Sequence, residues 1–342
     1  MGEQLADNLP NMQTAHPVAQ RLTEGLQHLG MEQLDTAQAN NLLQHATLRQ
    51  AREGIDYLNA AVLGTVERPD HSQTTSSVSR MVDGKEVVGQ MLLAPRHRDE
   101  FLDHTMRTIR STEDVTRRAN LAAFGIVLGH FERDGNGRSA RVAHEVITNG
   151  FDPNSEASVQ AIAAASASRD ELRAQGASTI PISFAPSNEL RRAWVGETIQ
   201  REGVAESFVA KRTQIEGQFS SLDQHGMPYP DPEKIEGALS GIGNGELKSR
   251  VRKTVQQVDF GPRAAVDICA VAGTEDLGEA FAKLDEAGAQ QVIAADDERK
   301  LAFSKRVIDV AAGAELPYYA KPETPPAPDF MLNAENALMG YH

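Results

Sequence analysis

Residues 129–141 read GHFERDGNGRSAR. A surface turn needs only the two glycines and the asparagine between them. The histidine, the two acids and the three arginines are equipment for holding a phosphate chain and taking a proton. Gly135 and Gly137 open backbone conformations closed to other residues. Successive amides can then point inward as a nest for an anion. A helix that begins there adds free N–H groups and the positive end of its dipole. Asn136 can donate its carboxamide to a phosphate oxygen. Arg138 and Arg141 lie three apart, on adjacent parts of one helix face, and can fork onto phosphate oxygens. Basic charge in a first turn opposes the dipole, so their presence there needs a reason. Asp134 can hold Mg²⁺, which takes one or two carboxylates together with phosphates and water. His130 is suited to accept a proton near neutral pH.

The elements that must position this loop are helical. VTRRANLAAFGIVLGH predicts a buried helix, with Val115, Ala119, Ala122, Ile126 and Gly129 on one face, ending near His130. RSARVAHEVITNG predicts a second, stopped by Asn149-Gly150. Pro95 opens a third, with Phe101, Leu102, Met106 and Ile109 inward, and the next start is expected around Ser111-Thr112. Between about 17 and 63 the period is again helical. Leu22, Leu26 and Leu29 share a face, as do Leu42, Ala46, Ala51, Ile55 and Leu58 of a longer second helix capped at Thr36. RMVDGKEVVG, with Asp83-Gly84 between β-branched residues, predicts a two-residue hairpin. Helices are expected over 155–176, 187–213 and 233–313, with 64–78 a loop, 223–232 a break and 316–330 a Pro-rich extended tail. The fold class is therefore all-α in the main, with one small β-hairpin.

Composition bounds the partners. The 342 residues are 40% apolar but only 5% aromatic, which favours helices packed through small and aliphatic side chains. With 34 basic and 48 acidic residues the net charge is −14, which argues against nucleic acid as a main partner. Cys269 is the only cysteine, so neither an intrachain disulfide nor a cysteine-based zinc site can form, as suits a reducing compartment. No apolar run of about 20 residues predicts a membrane span. MGEQLADNLP has neither the pattern of a signal peptide nor, after Gly2, that of a myristoylation signal. The expected location is the cytoplasm, or a host cell reached through a secretion system.

The loop resembles the signature of the Fic family, H-P-F-x-(D/E)-G-N-G-R-x-x-R. His130, Asp134, Gly135, Asn136, Gly137, Arg138 and Arg141 match at the right spacing. Phe131 stands where the family has proline, and Glu132 where it has the phenylalanine that packs the loop into the core. Phe131 is then expected to take over that packing. Glu132 is expected either to face solvent or to serve as a second metal or proton-handling group. A hairpin ("flap") and a Pro-led helix before the loop are also similar to the family, and the resemblance covers about residues 40–205. The expected division is an N-terminal helical extension (1–39), a Fic-like core (40–215) with its flap near 79–89, a helical C-terminal region (216–315) and the tail (316–342), and residues 215–342 match nothing in the family.

For activity, the resemblance implies a transferase that moves AMP from ATP to a Ser, Thr or Tyr hydroxyl of a target protein. His130 would be the base, and Asp134 would bind Mg²⁺. Gly135, Asn136 and Gly137 would hold the α-phosphate, and Arg138 and Arg141 the departing phosphates. The flap would register the target chain as an added strand. Many Fic proteins carry an inhibitory helix with (S/T)-x-x-x-E-(G/N). TIQREG matches it, with Thr198, Glu202 and Gly203, and Glu202 would pair with Arg141. Two further readings stand beside this one: transfer of UMP, phosphocholine or phosphate on the same fold, and a non-catalytic helical interaction protein with a decayed motif.

Overall fold

The computed structural model describes residues 16–65, 77–168, 171, 217–257 and 260–313. These are mostly helical, with two small antiparallel hairpins. The chain divides into two compact units. Of the described residues, 16–65, 98–168, 171 and 308–313 belong to the first, and 77–97, 217–257 and 260–307 to the second.

The first unit contains α1 (Pro17–His28), α2 (Thr36–His45), α3 (Leu48–Leu63), α4 (Arg98–Ser111), α5 (Val115–Gly129), α6 (Asn136–Asn149) and α7 (Glu156–Ser166). The single long helix expected over 36–63 is two. Asp35, rather than Thr36, caps α2 through a capping box with Gln38, and Thr47 with Gln50 builds a second box that opens α3. Each box satisfies two amides left over at a helix start, so the pair Ala46-Thr47 breaks the run. Asp114, just beyond the expected Ser111-Thr112, caps α5 by accepting from the Arg117 amide at 2.7 Å. One core joins α1 (Val18, Leu22, Leu26) to Ala61 and Val62 of α3, Val142 of α6 and Ile162 of α7. Leu29 and Leu42, expected inward, are exposed. A buried Asn40 fastens α2 to the end of α6 by donating to the Ile147 carbonyl at 3.1 Å. Gly150 ends α6 as expected.

The second unit opens with the predicted hairpin, β1 (Ser77–Val82) and β2 (Lys85–Met91). Asp83 and Gly84 both take positive φ, 50° and 79°, as a two-residue I′ turn requires. Residues 223–232, expected as a break, lie partly in a second hairpin, β3 (Ser220–Leu222) with β4 (Pro228–Pro230). Five helices follow: α8 (Pro232–Ala238), α9 (Gly245–Gln256), α10 (Gly261–Ala272), α11 (Leu277–Lys283) and α12 (Glu286–Ala311), whose last turn, from Ile308, belongs to the first unit. Their apolar core runs through Leu239, Val251, Ile268, Phe281 and Val292. Beside it, α12 buries charges. Lys300 Nζ pairs with the Asp296 carboxylate, which also accepts from Gln257 at 3.3 Å. Arg250 Nη2 meets Asp297 at 2.5 Å. Burial pushes the Asp297 carboxyl up and the Lys300 amine down.

The helix expected over 187–213, with Trp194, and the TIQREG stretch carrying Glu202 lie outside the described residues, as does the tail.

Candidate functional site

The loop begins where α5 ends. That helix is buried on nearly every side, through Ala119, Leu121, Ala123, Phe124 and Ile126. His130 closes it in the left-handed conformation, φ 42° and ψ 56°, with its amide donating to Ile126. A β-carbon makes this backbone costly, on the order of 1–3 kcal/mol, unless the surroundings hold it. Phe131 holds it here. Its ring is fully buried, and it lies so close to Gly129 that a β-carbon there would sit 2.3 Å from the ring. The expectation that Phe131 packs the loop is met.

Glu132 does not face solvent. It is fully buried, and its Oε1 meets Arg52 Nη2 of α3 at 3.0 Å. Arg52 also pairs with Asp56 at 3.2 Å, and its guanidinium lies 4.6 Å from the centre of the Phe131 ring. The Phe131 carbonyl accepts from Arg52 at 3.4 Å and from Arg98 Nη1 of α4 at 3.3 Å. Burial, then the nearby charge of Arg52, pushes the Arg98 guanidinium down to about 10, against the pull of Glu132. A buried carboxylate is tolerable only when paired and hydrogen-bonded. The Glu132 carboxylate thus pairs with Arg52 of α3, and Arg98 of α4 joins Arg52 on the Phe131 carbonyl, which fastens the loop from below.

The far end of the loop is closed by Asn136. Its carboxamide oxygen accepts from the Glu132 amide at 3.2 Å, and its nitrogen donates to the Glu132 carbonyl at 2.7 Å. That side chain, expected to face a phosphate, is spent on the loop's own backbone. Gly135 caps α6 at φ 80°, and a β-carbon there would lie 2.8 Å from Asn59 Nδ2. Asn59, wholly buried on α3, donates to the Asp134 carbonyl at 2.6 Å.

On the outer side stand the groups expected to do chemistry. Among the described residues, no side chain caps the first-turn amides of α6, which begin at Asn136. Asp134 is exposed; its Oδ1 accepts from the Gly135 amide at 2.6 Å, and its Oδ2 faces Arg138 at 3.5 Å. Arg138 also donates to the Val62 carbonyl at 3.3 Å. Arg141 donates through Nε to the Ala165 carbonyl at 2.8 Å and through Nη2 to that of Ala167, so it serves the C-terminus of α7. Its Nη1 lies 3.9 Å from where a β-carbon on Gly137 would sit. Burial, and then the charge of Arg98, push His130 down to about 4 against the pull of Asp134, so its imidazole is neutral at pH 7.

His130, Asp134, Gly135, Gly137 and Arg138 thus surround one helix start. Arg52, Asn59 and Arg98, which set the loop's position, were missed from sequence. Arg98 gave a signal: it is a basic residue at the first position of a helix, where charge opposes the dipole. Asp134 is the one carboxylate among the matched residues, and no cluster of three or more His, Cys, Asp or Glu able to hold a metal occurs among the described residues. A lone exposed carboxylate fits Mg²⁺ carried on a nucleotide's phosphates rather than a resident ion. No protein-family model, curated protein or solved structure matches the chain. Among the described residues, no helix is long and apolar enough to cross a membrane.

Proposed function

We propose that this chain is a Fic-type protein adenylyltransferase, which transfers AMP from Mg²⁺-ATP to a hydroxyl of a target protein. One observation carries the reading. A neutral imidazole, an exposed carboxylate and an uncapped helix start share a loop whose underside is fixed by buried contacts to α3 and α4.

In this reading the nucleotide's phosphates lie on the first-turn amides of α6, where N–H groups and dipole favour an anion. The backbone of Gly135, Asn136 and Gly137 holds the α-phosphate. Asp134 takes Mg²⁺, which supplies positive charge to the phosphates. Arg138 holds the outer phosphates, joined by Arg141 through its Nη1 side. His130 removes the proton of the target hydroxyl as that oxygen attacks the α-phosphorus. The bond from the α-phosphorus to the bridging oxygen breaks, and pyrophosphate leaves with the electron pair. A base held down to about 4 is weak, but the charge of a bound nucleotide raises it in the complex. Catalysis is positioning plus electrostatic stabilisation of charge developing on the α-phosphate. Among the described residues the hairpin β1–β2 pairs with no third strand, and an extended target segment would add to its edge.

A second reading has its own support: Asn136 and Arg141 spend side-chain groups on internal carbonyls and amides, as a purely structural loop would. Incubation with a lysate and ATP labelled at the α- or the γ-phosphate separates the two. Label in protein from α alone is the expected result. Label from γ alone makes the chain a kinase, and label from neither favours a non-catalytic interaction protein or, if UTP or a phosphocholine donor serves instead, transfer of another group.

A further inference from the structure

A cavity of about 910 Å³ opens in the first unit, away from the loop, between α1, α2, α3 and the middles of α4, α5 and α6. That is within the size of sites that bind whole small molecules, roughly 300–1,000 Å³. Its inner wall is aliphatic: Leu22, Leu26, Ile55, Met106, Ile126 and Ile147. Thr105 is the one hydroxyl deep in the wall, and it is already committed to the Phe101 carbonyl of its own helix at 2.9 Å. The space exists because small residues face it. Ala122 lines it from α5 and is only partly buried, although the residues on either side of it, Leu121 and Ala123, are buried. Ala51 and Gly54 line it from α3.

The mouth explains a failure of the sequence pattern. Leu29 and Leu42, apolar positions expected inward, are 64% and 46% exposed, and with Tyr57 at 41% they border this opening. Its polar groups include Arg21, Glu24, Glu53, Asn41, Gln50, the imidazoles of His28 and His45, and the Tyr57 hydroxyl, which donates to the Arg21 carbonyl. Arg21 lies 3.9 Å from Glu24, and Glu53 is held by Arg49 at 2.8 Å, so no surplus positive charge waits there for an anionic headgroup. An apolar wall without a free hydrogen-bonding group excludes a nucleotide or a peptide backbone, whose polar groups would go unpaired. Water gains little there either, since a buried water needs two to four polar partners.

We propose that this cavity binds a free, single-chain neutral lipid, such as a long-chain alcohol. Its hydrocarbon lies between α1, α3, α5 and α6, and its uncharged head meets Asn41, His28 and His45 at the mouth. The site is independent of the loop at His130.

The test uses the full chain and the uncharged fluorophore N-phenyl-1-naphthylamine. Saturable one-to-one binding is expected, with displacement by dodecanol at least tenfold more effective than by dodecyl phosphate. Ala122→Leu and Ala51→Leu each fill the cavity from a different helix, and each is expected to weaken binding at least tenfold while circular dichroism stays that of the wild type. Should one variant fail to fold, the other decides. Absence of saturable binding, equal displacement by the anionic lipid, or full binding by a folded filling variant would overturn the proposal.

Discussion

Two buried ion clusters, one in each unit, look alike in composition and differ in what they hold. On α12, Asp296, Asp297 and Lys300 are met by side chains, chiefly Arg250 and Gln257, so charge is matched to charge inside a helical packing. Beneath the loop, Arg52 meets the carboxylates of Glu132 and Asp56, and both Arg52 and Arg98 donate to the backbone carbonyl of Phe131. The first arrangement joins helices. The second fixes the path of the loop between α5 and α6. The lesson is that a buried charge is informative when its partner is loop backbone, because the geometry it fixes is then that of the groups on the loop's other side.

This contrast can be broken by mutation. The largest effects on stability are expected from Asp296→Ala and Phe131→Ala. The first leaves Lys300 buried without its partner, which costs about 3–5 kcal/mol. Chemical denaturation should show that loss, while transfer per folded molecule stays unchanged. A fall in transfer by the folded Asp296→Ala protein would erase the distinction between the clusters. Phe131→Ala removes a wholly buried ring and is expected to cost about 3–5 kcal/mol as well, but with transfer falling beyond the loss of folded protein. Transfer that tracks only the folded fraction would mean that the ring is ordinary core.

Glu132→Ala should be milder in stability, about 1.5–3 kcal/mol for a lost charged hydrogen bond, because Arg52 keeps Asp56. Its mark should be on transfer, through a loop released from α3. If it instead shifts only the Mg²⁺ dependence at unchanged stability, Glu132 handles the metal and the latch is wrong.

A further effect is in pH. His130 is held down to about 4 in the folded chain, against 6.5 when unperturbed. As pH falls below 6.5 the unfolded chain takes up this proton first, so the folded state loses stability from 6.5 down to about 4 and no further from this group. An NMR titration of the ring should find its midpoint near 4. A midpoint near 6.5 would mean that the ring is not desolvated and that Arg98 does not act on it.

Much of this was legible in the sequence because it is local. The Asp-Gly turn at 83–84 and the Asn-Gly stop at 149–150 act within a few residues, and each fell where expected. The seven loop residues were singled out by their types and spacing and by the resemblance to the Fic signature. What failed was long-range. Arg52 meets Glu132 across 80 positions and Arg98 meets Phe131 across 33, and no periodicity encodes such pairs. Asn136 and Arg141 were given to a ligand because their donors suit phosphate, but the same donors suit the Glu132 backbone and the end of α7. Leu29 and Leu42 fitted an inward face by period, yet the space they border is not filled by the described chain.

As proposed, the loop between α5 and α6 is a phosphate cradle with a base beside it. The direct measurement is transfer from α-labelled ATP by the wild type and by His130→Ala at saturating Mg²⁺-ATP, with nucleotide binding followed in parallel. The account predicts that the variant folds and binds Mg²⁺-ATP, and that transfer falls on the order of 10²–10⁴-fold, the loss typical of a positioned base. Transfer at the wild-type rate by His130→Ala would contradict it.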